Sequence, residues 1–336
     1  MGAQLRAVRQ RIRSIQSTAK ITRAQELIAA SRIVRAQQRV RAAEPYSREL
    51  LQAVEAVVSR SGPVDHPLVR EPEHSSCAAI LILTSDRGFC GGFNANVLRE
   101  AQALRARLGE RGIRTVTYVA GTKGIAWHRF RSLDVAGAWS GFSDSPEYRN
   151  AADITAALLG AFGRDVAMDN PGRVRAAVAE GSEAPAQLLP GGSTADGTAA
   201  GPKVDEIHVV RTEFVSMLTQ RPVVNRILPL EVEETDEPPP AGPIPLYEFE
   251  PSPQDVLDAL LPWYVENRIY HGLLESAAAE IAARRRAMKS ATDNANDLLE
   301  QFTREANKAR QAEITQEISE IVGGANALAE SLAGSE

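Results

Sequence analysis

Leu5, Val8, Ile12, Ile15 and Ala19 recur at alternating steps of three and four, the spacing of a coiled-coil seam along a helix. Leu27, Ile28, Val34 and Val40 pick the stripe up again more loosely. No proline interrupts before Pro45 and no glycine after Gly2. The pattern predicts one long helix that passes Pro45 with a kink and fades before Ser61-Gly62-Pro63. At the other end, Ser252 offers an N-cap hydroxyl, Pro253 suits the first helical position, and Asp255 lies in the first turn. From Trp263 onward there is no proline. Ala291, Ala295, Leu298 and Phe302 keep a four-three-four rhythm, and Ile314, Ile318, Ile321, Ala325 and Leu328 resume it after a phase shift, read as a stutter. About 75 residues at about 1.5 Å each predict a rod of roughly 110 Å.

The middle of the chain alternates between the two periodicities. Ala78–Thr84 is a short apolar run suited to a buried strand, Asn94–Leu108 is helical by pattern, Arg114–Ala120 is a strand, Pro146–Phe162 a helix and Glu206–Arg211 a third strand. Strand–helix alternation predicts a parallel sheet with right-handed crossovers. Both long helices attach to this body, so packing along their seams makes their directions oppose. The predicted fold class is therefore α/β: N- and C-terminal helices paired as an antiparallel coiled-coil shaft, plus a Rossmann-like, incomplete parallel-sheet domain. The divisions are 1–62 for the first helix, 63–250 for the α/β domain and 251–336 for the second helix. Two segments look inserted. Asp165–Lys203 is rich in Gly, Ala, Pro and Ser, the composition of a flexible segment. Glu233–Pro245 is acidic and proline-rich, read as a stiff surface connection.

The 336 residues carry a formal net charge of −5, so bulk electrostatics do not favour nucleic acid. The ends differ in sign. Residues 1–43 carry ten basic side chains against the lone Glu26, whereas the stretch from Gln311 onward carries five glutamates and no base. Cys77 and Cys90 form no disulfide framework and no zinc spacing, and fit a reduced, cytosolic interior. The start MGAQLRAVRQ lacks the apolar region of a signal peptide, and no run approaches the roughly 18 apolar residues of a membrane span. Any membrane link is expected to be indirect, through partners.

The loop Ser85–Asn94 follows a strand and opens a helix, the place where phosphate cradles form. Its glycine spacing matches neither the dinucleotide fingerprint nor the phosphate-binding lysine loop. The alternative is a tight turn whose glycines supply positive φ, with Asp86 or Arg87 facing a partner. Cys90 reads as a structural thiol rather than a nucleophile, since no motif supplies a His or Asp partner. His66, His74, His128, His208 and His271 are scattered, without metal-ligand spacing. Arg284-Arg285-Arg286 with Lys289 is either a solvated face or a contact for acidic partner loops. Small Ala and Ser residues along much of the last helix suit close, slippery packing. Two rivals are an enzyme with a cofactor fold, which lacks its fingerprint, and a nucleic-acid-binding arm built on the basic first helix.

Lys20-Ile21-Thr22-Arg23-Ala24-Gln25-Glu26-Leu27-Ile28, the loop Ser85–Asn94, the run Ala287-Met288-Lys289-Ser290-Ala291-Thr292-Asp293-Asn294, and the ending Asn307-Lys308-Ala309-Arg310-Gln311 with Ile314–Val322 resemble, in order, four segments of the gamma chain of ATP synthase. The resemblance implies an antiparallel coiled coil on a Rossmann-like domain. It implies a non-catalytic rotary shaft that couples proton flow to ATP synthesis, binds no cofactor and regulates ATPase activity. The implied partners are the alpha and beta subunits, the epsilon subunit and the c-ring, with no nucleic acid. The implied location is the cytoplasmic side of a bacterial cell membrane, as a peripheral component. Carried over by residue, Gln311, Thr315 and Glu317 resemble contacts to beta-subunit loops, Arg284 a basic shaft position, and Asp86, Arg87 and Cys90 a loop near beta. Gln25 stands where the family is usually hydrophobic. The long segment 165–203 resembles an extra loop of actinobacterial members, and Val174, Val178, Leu188 and Leu189 are its candidate docking residues.

Overall fold

The computed structural model describes residues 2–61, 66, 68, 69, 72, 74–162, 203–230, 250 and 252–333. The docking candidates Val174, Val178, Leu188 and Leu189, the rest of the insert before Lys203 and the 233–245 connection lie outside the described residues. The elements run α1 (Gly2–Ser61), β1 (Cys77–Leu83), α2 (Phe93–Glu110), β2 (Arg114–Ala120), α3 (Thr122–Phe130), β3 (Gly137–Trp139), α4 (Tyr148–Phe162), β4 (Glu206–Phe214), β5 (Gln220–Leu228) and α5 (Pro253–Ala333). By contact they group into two compact units, residues 1–30 with 284–336, and residues 31–283.

In the larger unit the sheet order is β3-β2-β1-β4-β5. Strands β1 to β4 pair in parallel, whereas β5 returns antiparallel to β4. The three expected strands are thus parallel, and β5 adds an antiparallel edge strand that makes the sheet mixed. Strand β5 carries Pro222 and a polar start, and proline is tolerated at a sheet edge. All seven residues of β1 are buried because helices cover both faces. Ala79, Leu81 and Leu83 pack with Ile154 and Leu158 of α4, Leu257, Leu261 and Ile269 of α5, and Val54 and Val57 of α1. Ala78, Ile80 and Ile82 turn to the other face, against Val97, Leu98, Ala101 and Leu104 of α2. Ser252 Oγ accepts from the Asp255 amide at 3.2 Å, so α5 starts where its cap predicts.

In the smaller unit α1 and α5 run in opposite directions. Thr292 Oγ1 donates to Thr22 Oγ1 at 2.8 Å, and Arg11 lies over the Phe302 ring at 5.9 Å from its centre. The seam keeps strict heptad spacing where the apolar stripe does not. After Ala19 it passes through Thr22, Glu26 and Ala29, and Ile33 and Ala36 continue the same spacing in the larger unit, while Leu27, Ile28 and Val34 are exposed. The loose continuation expected from those three is corrected: register decides which positions face the partner helix, whatever their polarity. Thr22 and Glu26 find polar partners there, the Ala19 carbonyl at 3.1 Å and Arg23 at 2.9 Å. On α5 the seam is Met288, Thr292, Ala295, Leu299 and Phe302, so Leu299 replaces the expected Leu298, which is exposed. Ile314, Ile318 and Ile321 are exposed as well and resume no seam. Counting outward from the Thr22–Thr292 pair, Gly2 faces about residue 312, so these isoleucines lie past the first residue of α1.

Candidate functional site

The loop after β1 sits at the carboxyl ends of the parallel strands, beside the point where the strand order reverses. Open α/β sheets take ligands there, but here the loop is pinned and turned inward. The Ser85 amide donates to Asn94 Oδ1 at 2.9 Å, and Asn94 Nδ2 donates to Ser85 Oγ at 2.8 Å. Cys90 is buried, with Asn94 Nδ2 3.2 Å from its sulfur, and packs with Phe93 against Ala279 and Ala283 of α5. Gly91 has φ 58 and supplies the turn. Phe89, at φ 62, is exposed.

Asp86 does the joining. Its Oδ1 accepts from the amide and the hydroxyl of Thr122, both at 2.9 Å. Its Oδ2 accepts from the amides of Gly141 at 2.8 Å and Ser143 at 3.0 Å. The Asp86 amide donates to Ser143 Oγ at 2.8 Å. One carboxylate thus ties the loops after β1, β2 and β3. Burial pushes its carboxyl up, but the donors from Ser143, Thr122 and Gly141 outweigh that and hold it below the ordinary aspartate value. The Asp86 carboxylate is thus engaged by its own fold. Arg87 is exposed, 3.7 Å from Asp144, which also accepts from Arg32 of α1 at 2.9 Å. On the far face of the sheet, Ile80, Ile82, Leu98, Arg105, Thr117 and Trp127 are among the residues lining a cavity of about 10 Å³, at or below the space one water needs.

The shaft candidates fall elsewhere. Gln311, Thr315 and Glu317 are exposed on α5, and Thr315 Oγ1 donates back to the Gln311 carbonyl at 2.9 Å. Arg284 is half-buried and Gln25 exposed. Gln311, Thr315 and Glu317 belong to the smaller compact unit and the Asp86 loop to the larger one.

A cluster that the sequence reading missed joins α5 to the body. Arg211 of β4 pairs with Glu275 of α5, and its Nε donates to Asn225 of β5 at 3.1 Å. His271 Nδ1 lies 3.8 Å from the same carboxylate. Burial lowers the His271 pKa, Glu275 and Glu44 oppose that shift, and Arg211 and Arg268 reinforce it. Asn267 donates to Ser47 of α1 at 2.9 Å. No motif marks these residues, and apart from His271 and Glu275, four apart, their partners are 14 to 220 positions away in sequence. Among the small residues of α5, Ala277, Ala278, Ala279, Ala282 and Ala283 are buried in their own unit, so here small size serves close packing in the body.

The ATP synthase family pattern matches residues 4–328. An ATP synthase gamma chain of Acidothermus cellulolyticus is 55% identical over 98% of each chain, and one of Thermobifida fusca is 51% identical over the whole of both. The chain belongs to the ATP synthase gamma-chain family. Its fold likewise resembles a chain of the Euglena gracilis mitochondrial ATP synthase rotor, with TM-score 0.62 and 14% identity, covering 94% of this chain and 100% of that one. Members of the family are subunits of a membrane-associated complex. Among the described residues no helix is long and apolar enough to cross a membrane.

Proposed function

We propose that the chain turns as the central shaft of an F1Fo ATP synthase, coupling proton flow through the c-ring to ATP synthesis in the hexamer of alpha and beta subunits. In this reading it has no catalytic activity of its own, contacts the epsilon subunit, and meets the membrane only through Fo, on the cytoplasmic side of a bacterial cell membrane. The observation that carries the reading is α5. This 81-residue helix is packed into the α/β body at one stretch and exposes polar side chains near its end. Such a shaft transfers energy as differential binding: each orientation favours a different conformer of the catalytic subunit it faces.

Gln311, Thr315 and Glu317 are the proposed contacts to beta-subunit loops. Gln311 and Thr315 share a helix face and Glu317 is turned away from it, so different members engage a given beta subunit as the shaft turns. Each charge-assisted bond sheltered from water contributes roughly 1.5–3 kcal/mol. The tagged chain should co-purify with the other ATP synthase subunits and hydrolyse no ATP without them. Replacing all three residues with alanine should lower turnover of that complex, and unchanged turnover and assembly would remove them from the contact.

The segment 165–203 is proposed to restrain rotation in the ATP-hydrolysis direction. Its placement favours this. The Val204 amide donates to the Ala161 carbonyl at 3.0 Å, so the insert departs from and rejoins the body at one point. Val174, Val178, Leu188 and Leu189 are the residues proposed to dock on a neighbouring subunit. Deleting residues 168–200 should raise ATP hydrolysis with synthesis little changed, whereas equal hydrolysis rates would leave the segment without a regulatory role.

A further inference from the structure

A helix standing alone in a machine can be turned from one end only if something grips it. A chain entering a helix through single bonds swivels about its own backbone torsions, so twist is resisted by side contacts away from the helix axis. In the larger unit α5 meets that need over one stretch. From Gly272 to Ala283 its residues are buried apart from Glu275, which is half-buried. Twelve residues complete more than three turns, so this segment is covered on every side.

The covering is of two kinds. Ala277, Ala278, Ala279, Ala282 and Ala283 let neighbouring backbones approach closely, with Cys90 and Phe93 of the loop after β1 among the contacts. Small side chains fit closely but project little from the axis, and so resist twist weakly. Leu273, Leu274, Glu280 and Ile281 are buried here too and project further, and Arg211–Glu275 is the ion pair that ties this stretch to β4. Each side chain is only 16% exposed, and Asn225 fixes the Arg211 Nε. A Cβ at Gly272 would lie 3.2 Å from Arg211 Cδ, so the arginine lies directly against the helix backbone. By contrast Arg32–Asp144, which ties α1 to the loop before α4, has a 49% exposed arginine and is expected to contribute little.

We propose that the Gly272–Ala283 segment of α5, keyed to the sheet by the Arg211–Glu275 pair, is the joint through which torque passes between the α/β body and the shaft helices. The proposal rests on the shaft reading above. Arg211 and Glu275 act as positioning residues: they touch no reacting group and hold the angular phase between body and shaft. Loss of the pair leaves ATP hydrolysis in place and lets the body slip behind the helix.

The test uses the assembled complex in sealed membrane vesicles, with the ratio of ATP-driven proton pumping to ATP hydrolysis as readout. Arg211→Ala and Glu275→Ala are expected to raise slip roughly tenfold, the change that loss of one charge-assisted bond gives, and so to lower the ratio. The exchange R211E/E275R should restore it, and Glu275→Gln should fall between parent and Glu275→Ala. The exposed pair Arg221–Glu213 at the β4–β5 hairpin serves as control, and Arg221→Ala should leave the ratio at the parental value. A parental ratio in both alanine variants, a ratio that the exchange fails to raise, or an equal fall in the control would each overturn the joint. Failure of the shaft reading itself would look different, since the parental chain would then not co-purify with ATP synthase subunits.

Discussion

Gly121→Ala is expected to destabilise the α/β body by more than about 4 kcal/mol, the range reserved for mutations with a specific steric cause. Gly121 has φ 106 and ψ 132, a conformation that side chains other than glycine rarely adopt. The space is closed too. A Cβ there would lie 2.2 Å from the Thr84 carbonyl oxygen and 2.5 Å from its carbon. These are backbone atoms, so no rotamer change relieves the clash. Moving them would break the hydrogen bonds that the Thr84 amide donates to the Ala120 carbonyl and the Gly121 amide to the Trp139 carbonyl, both 2.8 Å. Those bonds hold the carboxyl ends of β1, β2 and β3 together. Gly160→Ala in α4 is the comparison, because nothing lies within 4 Å of its added methyl. Alanine there should be neutral or stabilising by up to about 1 kcal/mol. Urea denaturation of the purified full-length variants checks both, and a parental midpoint for Gly121→Ala would refute the steric argument.

The elements legible in the sequence are those whose local pattern and burial agree. Strand β1 reads as a continuous apolar run because both its faces are covered, and α5 starts at Pro253 because its cap is local chemistry. The misses arise where distant partners set the outcome. Helix α3 carries Gly124 inside a nine-residue span, and β3 has only three residues, so neither offers a full period to detect. Strand β5 mixes Gln220, Arg221, Pro222, Asn225 and Arg226 with four apolar residues, so its own pattern is weak and β4 supplies its ladder. The seam of α1 goes through Thr22 and Glu26 although Leu27 and Ile28 stand beside them. Hydrophobicity alone cannot give that result, since heptad register is fixed by the facing helix. The site shows the same division. The Ser85–Asn94 loop is recognisable as a motif, but the direction of Asp86 depends on Gly141 and Ser143, 55 and 57 residues further on. The Arg211–Glu275 pair has no motif at all.

Asp86→Ala should destabilise the body by about 3 kcal/mol, because it strips several donors of one shared, charged acceptor. The amides of Thr122, Gly141 and Ser143 all point to that carboxylate. Asp86→Asn is the sharper variant. Its carbonyl oxygen can still accept from one side, but its Nδ2 would face amides that also donate, so asparagine should recover only part of the loss. The charge gives the effect a pH signature. The folded pKa of Asp86 lies below its ordinary value of 3.8. Its stabilisation is therefore fully present above that ordinary value and is lost as pH falls from there through the lower folded value. His66, His128, His208 and His271 have pKa values lowered from 6.5. Their contribution is likewise lost on acidification, but it begins to fall at higher pH, near 6.5. Comparing parent and Asp86→Asn at each pH cancels the histidine contribution, because both proteins carry those groups. The difference in urea midpoint should stay constant from neutral pH down to roughly pH 5 and shrink below roughly pH 4, where the carboxylate of the unfolded parental chain gains its proton first. A difference that instead collapses between neutral pH and pH 5 would show that the loss does not follow ionisation of the Asp86 carboxylate, and would refute the argument.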